Sequence, residues 1–165
     1  PPPAQQYRAT AGCTCRERLS ELRCRDGIAS GIAGMESALD SSVVILVVED
    51  DPDIQAVIEE TLYEGGFEVA VATSGEEAVA LLTANMTDYR ALVTDIGLPG
   101  NLDGWNVARR AREVEPAFPV VYMSGAHSAD WSSKGVPDSV MLAKPFAPAQ
   151  LVTAVSNLLN RGLSA

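Results

Sequence analysis

Asp95 closes the apolar run Ala91-Leu-Val-Thr94, and the Gly/Pro loop Ile96-Gly-Leu-Pro99 follows at once. A carboxylate so placed sits at the tip of a strand. Two other apolar runs also stop on chemistry: Val43 to Val48 stops at Glu49-Asp50-Asp51, and Ser139 to Ala143 stops at Lys144-Pro145. A fourth, Pro119 to Met123, ends on Ser124-Gly125. Three carboxylates drawn within a few ångströms repel one another, by roughly several kcal/mol where water is scarce, and need a cation. Mg2+ suits them, since it takes oxygen ligands, keeps several waters and typically uses one or two carboxylates plus a phosphate oxygen. Ca2+ is the second choice, because the loop lacks the dense ligand spacing of an EF-hand. With charge neutralised in this way, a carboxylate can attack a phosphoryl group and form an acyl phosphate. Lys144 could then pair with one phosphoryl oxygen, the Ser124 hydroxyl could donate to another, and Gly125 leaves room beside it.

Taken singly, each residue has an ordinary reading. A lysine at a strand end is surface charge, Ser-Gly is a turn, and the acid triplet is a solvated strand end. For Asp51, followed by Pro52, the ordinary reading is preferred: it is an N-cap with proline at the first helical position.

The elements that must position these residues follow from periodicity. Val43 to Val48 is a continuous β-branched apolar run, as in a strand buried on both faces of a parallel sheet. Ile54, Val57, Ile58, Thr61 and Leu62 recur at helical spacing until Gly65-Gly66. Phe67 to Ala72 reads as strand two, and Ser74-Gly-Glu-Glu77 as a capping box for a helix burying Ala78, Leu81 and Leu82. Strand three is Arg90 to Thr94. Trp105, Ala108, Ala111 and Val114 mark a helical face that closes before Pro116. His127 to Gly135 offers only Ala129 and Trp131 as apolar anchors, so any helix there is short. Strand five precedes a closing helix with Leu151, Ala154, Val155, Leu158 and Leu159 on one face. Five strand-helix units predict an α/β fold with a mainly parallel sheet covered on both faces. Ligands of such sheets bind beyond the carboxyl ends of the strands where the order reverses, which with a strand order of 2-1-3-4-5 lies between strands one and three. Glu49, Asp50 and Asp95 converge there.

A chain of 165 residues that is 47% apolar supports one good core. Residues 43–161 are assigned to that domain, 1–42 to a tail or extension opening with Pro-Pro-Pro, and 162–165 to a C-terminal tail. The net charge of −10 hides an asymmetry: residues 1–34 hold five arginines against three acids, and everything from Met35 onward carries seven basic and nineteen acidic residues. Such a surface repels nucleic-acid phosphates and anionic lipid, so proteins or cations are the expected partners. With no apolar run of about 18 residues and no signal-peptide pattern, a cytoplasmic protein without membrane insertion is expected. Cys13, Cys15 and Cys24 fit no common zinc finger and are read as incidental thiols. Met35 is read as the natural start, His127 as an exposed loop residue, and Trp131 as either a partner anchor or a cover for the short helix.

The segment from about Val43 to Leu159 resembles the receiver domain of bacterial two-component response regulators, which implies a flavodoxin-like (βα)5 doubly wound parallel sheet of strand order 2-1-3-4-5. The matching residues are Ile45-Leu-Val-Val-Glu-Asp-Asp-Pro52, Val93-Thr-Asp-Ile-Gly-Leu-Pro-Gly100 with Asp103-Gly104, Met123-Ser-Gly-Ala126 and Lys144-Pro-Phe146. The resemblance implies that Asp95 takes phosphate from a histidine kinase or phosphotransfer protein and later loses it by autodephosphorylation. It implies Mg2+ held by Glu49 through water, Asp50, Asp95 and the Gly97 carbonyl, with Ser124 and Lys144 reading the phosphoryl group. Self-phosphorylation of this kind is not conventional enzyme turnover. Two departures stand out. The loop Gly100-Asn-Leu-Asp103 is one residue longer than usual, and Met141 replaces the aromatic expected three residues before the lysine. Since Arg161-Gly-Leu-Ser-Ala165 follows the last helix directly, a stand-alone receiver acting through protein partners is expected.

Three other readings were weighed. An aspartyl-phosphate phosphatase of the haloacid dehalogenase type would use Asp51 on strand one, in Leu46-Val-Val-Glu-Asp-Asp51-Pro-Asp53. A flavin-binding module on this fold needs a phosphate loop after strand one, where the acids would repel it. A pseudo-receiver would bind partners without phosphorylation, against the full acid, serine and lysine set.

Overall fold

The computed structural model describes residues 42–126 and 128–162. The proposed tail, the Met35 start, the three cysteines and His127 lie outside the described residues. The chain runs β1 (Val44–Val48), α1 (Pro52–Glu64), β2 (Glu68–Ala72), α2 (Gly75–Asn85), β3 (Tyr89–Asp95), α3 (Gly104–Val114), β4 (Val120–Ser124), α4 (Trp131–Lys134), β5 (Val140–Ala143) and α5 (Pro148–Gly162). The five strands form one parallel sheet in the order β2-β1-β3-β4-β5. This is the flavodoxin-like architecture expected from the sequence.

Alternation along each strand divides the core between the two faces. Ile45, Val47, Ala91, Val93, Val121 and Met123 meet Ile58 and Leu62 of α1 and Leu151, Val155 and Leu158 of α5. Leu46, Val48, Leu92, Val120 and Tyr122 meet Ala78 and Leu82 of α2 and Trp105, Ala108 and Ala111 of α3. The three central strands are therefore largely dry on both sides, whereas the edge strands β2 and β5 are half-buried.

Asp51 caps α1, its Oδ1 accepting from the Asp53 amide at 2.9 Å and the Ile54 amide at 3.3 Å, with Pro52 at the first helical position. Gly66 ends the connection at φ +86°, a conformation that favours glycine. Ser74 Oγ accepts from the Glu77 amide, but the expected reciprocal bond is displaced: the Glu77 carboxylate accepts from the Thr73 amide and hydroxyl, one residue further back. Along α3, Val107 is buried, whereas Val114 is 56% exposed. The buried stripe ends at Ala111, one turn earlier than the spacing suggested, because Val114 is the last helical residue. Leu81 and Leu159 are half-buried and pack on the edges of the two cores. The weak segment after Ala126 forms a 3-10 turn, Ser128–Asp130, and the single helical turn of α4.

Candidate functional site

Register sets the site. Val48 pairs with Thr94 across β1 and β3, so Glu49 and Asp95 step off the sheet side by side. Ser124 pairs with Ala143, so Lys144 follows one residue beyond it, and the Lys144 amide donates to the Ser124 carbonyl at 2.8 Å. Four strand tips thus deliver the acids, the hydroxyl and the base to one end of the sheet.

One carboxylate oxygen from each of Glu49, Asp50 and Asp95 lies within 4.8 Å of the others. This all-oxygen, hard, anionic donor set is the kind Mg2+ prefers. Lys144 lies against it, its Nζ donating to Glu49 Oε2 at 2.7 Å and lying 3.3 Å from Asp95 Oδ1. Burial is graded: Glu49 is 1% exposed, Asp95 is intermediate, and Asp50 is open to solvent. The site therefore has a deep acid anchored by a cation and shallower acids facing outward.

The electrostatics follow from this gradient. Burial raises the Glu49 pKa above its ordinary value and the nearby Asp95 charge adds to the rise, against the opposing pull of Lys144. Burial works against the Lys144 ammonium as well, but the Glu49 hydrogen bond and the charges of Asp95 and Glu49 outweigh it, so its pKa is raised. The two directions conflict if the pair is judged as a simple ion pair, which would lower the acid. They are reconciled because Glu49 is the more deeply buried partner and bears more of the desolvation. A second cation on the carboxylates would relieve this strain.

Each site residue proposed from the sequence lies among the described residues. Ser124 is 2% exposed, and its Oγ accepts from the Ala126 amide at 3.2 Å. Gly97 is exposed, and a Cβ there would stand 3.5 Å from Asp95 Oδ2, so its backbone borders that carboxylate. Apart from its chain neighbours, no atom of the described residues lies within 4 Å of where a Gly125 Cβ would be, leaving space beside Ser124. Asp51 is exposed and occupied in capping α1, as the ordinary reading held. The Lys144–Pro145 peptide is cis. Met141 is half-buried, paired with Tyr122 across β4 and β5. Trp131 is 37% exposed, and its Nε1 donates to Ser139 Oγ at 3.0 Å.

Sequence reasoning missed several supports. The Gln55 amide nitrogen donates to the Glu49 carbonyl, fixing the turn that carries the acid pair. The Thr94 hydroxyl donates to the Asp95 carbonyl at 2.8 Å. Gly104 packs so tightly beneath the loop between β3 and α3 that a Cβ would overlap the Asp95 carbonyl oxygen. The fully buried Tyr122 accepts from the Val136 amide at 3.2 Å through its hydroxyl and packs on Trp105 with ring centroids 4.6 Å apart. Of these, only Gly104 left a signal, as a glycine directly after the Asp103 cap.

Comparison with known proteins agrees with this geometry. The family profile "Response regulator receiver domain" matches residues 45–156. The chain is 40% identical over 119 residues to transcriptional regulatory protein PrrA of Mycobacterium tuberculosis, covering 71% of this chain and 50% of that protein. It is 32% identical over 120 residues to transcriptional regulatory protein CusR of Escherichia coli, covering 72% and 52% respectively. It thus spans about half the length of these curated relatives. The crystal structure of a response regulator receiver protein from Sinorhizobium medicae superimposes with a TM-score of 0.70 at 45% identity, over 72% of this chain and 95% of its own. The strand order, the acid cluster at the sheet end and the match over most of the described residues lead to one conclusion: this chain belongs to the response regulator receiver domain family.

Proposed function

We propose that Asp95 is the phosphoacceptor of this receiver, loaded by a histidine kinase or a histidine phosphotransfer protein. The observation that supports this best is the Lys144 ammonium lying 3.3 Å from Asp95 while bonded at 2.7 Å to Glu49, on the same carboxylates that cluster within 4.8 Å. Mg2+ bound by Asp50, Asp95, the Gly97 carbonyl and, through water, Glu49 would neutralise charge on the transferred oxygens. Asp95 attacks phosphorus as the P–N bond to the donor imidazole breaks, and the bonding pair returns to the imidazole nitrogen. Lys144 then turns from Asp95 towards a phosphoryl oxygen, and the Ser124 hydroxyl donates to another. The Asp95 acyl phosphate is later hydrolysed by water, so the residue cycles without conventional turnover.

Residues 43–161 act as the signalling unit, and its output goes to protein partners rather than directly to nucleic acid. No described helix is long and apolar enough to cross a membrane, in keeping with a cytoplasmic place of action. With Met141 on β5, transmission by an aromatic at that position is replaced by another route.

Incubation with Mg2+ and acetyl phosphate or a phosphorylated histidine kinase, followed by intact-mass measurement, tests this reading. One phosphoryl group should appear on wild type and on Asp51→Asn, and none on Asp95→Asn. No phosphate on wild type would leave the pseudo-receiver reading in its place. Loss with Asp51→Asn alone, together with turnover of a small phosphate ester, would favour the phosphatase.

A further inference from the structure

The lengthened loop between β3 and α3 is not loose. Its middle folds onto the first turn of α2, where Glu76 Oε1 accepts from the Asn101 amide at 2.8 Å. The Asn101 amide, then the amide of Glu76 itself, and also that of Leu102, hold this exposed carboxyl below its ordinary value. Two glycines shape the contact. A Cβ on Gly75 would overlap the Leu102 carbonyl oxygen and lie 2.8 Å from the Leu102 Cβ. Gly100 adopts φ +102°, and its Cβ position is 2.8 Å from a Glu76 carboxylate oxygen. The next residue, Glu77, turns the other way and holds Thr73 at the exit of β2. The ends of the same loop are fixed independently: the Ile96 amide donates to the Met123 carbonyl at 3.1 Å, and the Gly104 amide to the Ile96 carbonyl at 3.2 Å. Between those ends, Glu76 is the side chain that pins the backbone of the extra residue's segment.

We propose that Glu76 is a positioning residue, a latch from α2 that fixes the lengthened loop so that Asp95 and the Gly97 carbonyl are preset for Mg2+. The idea rests on the metal-binding part of the function proposed above. A loop that must be ordered on binding weakens affinity by the cost of ordering it, whereas a loop already held does not. The ordinary alternative is that Glu76 only favours the helix by its charge at the N-terminus. The two differ in what glutamine can replace, because Gln keeps a carbonyl acceptor for Asn101 but has no charge.

The test uses the full chain and Mg2+ alone as the probe. Amide hydrogen exchange is read on metal-free protein, and Mg2+ affinity by calorimetric titration. In Glu76→Ala, exchange at Asn101 should rise about ten-fold as the local opening becomes easier, and the Mg2+ Kd should rise about three-fold, the scale of one exposed charged interaction. Glu76→Gln should restore most of both. Gly75→Ala should raise both as well, although alanine is intrinsically the better helix former, because its methyl displaces Leu102. The latch is overturned if Glu76→Ala lowers only the thermal midpoint and leaves Asn101 exchange and the Mg2+ Kd unchanged. It is equally overturned if Gln matches Ala. Wild type that binds Mg2+ with this dependence on Glu76 but accepts no phosphate would uphold the latch and refute the phosphoacceptor reading instead.

Discussion

Replacing Lys144 by methionine probes the site most directly, because one ammonium neutralises two carboxylates. The Lys144 side chain is 20% exposed and that of Glu49 is 2% exposed. The pair thus stands between surface ion pairs, worth about 0–1 kcal/mol, and fully buried ones, whose disruption costs about 3–5 kcal/mol. Lys144→Met should destabilise the metal-free protein by about 2–3 kcal/mol at neutral pH. The sign with pH follows from Glu49. Its carboxyl is already raised by burial, and loss of the lysine raises it further. A raised carboxyl costs nothing below its ordinary value, costs progressively more as pH rises from the ordinary towards the folded value, and costs a constant amount above it. The deficit should therefore shrink on acidification, as Glu49 takes up a proton.

Mg2+ should have the opposite effect on the variant. A divalent ion on these carboxylates repels the Lys144 ammonium by on the order of 1 kcal/mol even at the dielectric constant of water. Without the lysine, Mg2+ should bind about five-fold more tightly, and saturating metal should close the stability gap by about 1 kcal/mol. Urea unfolding in EDTA and in saturating Mg2+, with calorimetric titration of the folded protein, measures both quantities. An equal deficit in the two conditions, or weaker Mg2+ binding by the methionine variant, would refute the reasoning. Under the proposed function phosphoryl uptake should fall regardless, since Lys144 is the cation proposed to meet the transferred group.

Gly104→Ala should cost about 1–3 kcal/mol by overpacking, because its Cβ overlaps the Asp95 carbonyl oxygen and lies 2.9 Å from the Ile96 Cα; urea unfolding and a weakened Mg2+ titration would show it. Tyr122→Phe removes the acceptor of the buried Val136 amide and should cost about 1–3 kcal/mol, a loss below about 0.5 kcal/mol in urea meaning that the amide finds another partner. The Glu77 carboxyl, held low by the Thr73 amide and hydroxyl, and that of Glu76, held low by the Asn101 amide, lie below the ordinary 4.5. Their stabilising effect is present above the ordinary carboxylate range and is lost as pH falls through the lowered values. Carbon-13 titration of the two carboxyls, with amide exchange at Thr73 and Asn101, checks this.

The strand tips were legible because each apolar run stops abruptly on a polar residue, and that boundary is fixed by burial of the sheet on both faces. The parallel sheet followed from the alternation of elements, whereas its strand order, and with it the meeting of Glu49, Asp50 and Asp95, came from the resemblance to receiver domains. Val114 was misjudged because helical spacing extends a stripe to the last residue, whereas packing ends with Ala111. The Glu77 side chain bypasses the Ser74 amide for Thr73, a choice set by how β2 leaves the sheet. Glu76 carried no signal at all: an exposed glutamate in a first helical turn is commonplace, and its partner is 25 residues away. The Lys144 to Glu49 bond joins residues 95 positions apart, so sequence could place both at strand ends but not show that they bind each other before any phosphate arrives.

Parallel pairing of every strand has a consequence for how the molecule comes into being. No two neighbouring strands are joined by a hairpin, so each pairing waits for a helical crossover to be made and docked. During synthesis from the N-terminus, β1 and β3 exist long before β5. Their apolar rows can meet, but their tips then hold Glu49, Asp50 and Asp95 together while Lys144 is still to come. Charge repulsion would then oppose closure of the nascent sheet at its carboxyl end, and a cation such as Mg2+ would offset the missing lysine. A ribosome-bound chain ending before Lys144 should gain protease resistance from Mg2+ by a larger margin than the finished protein does.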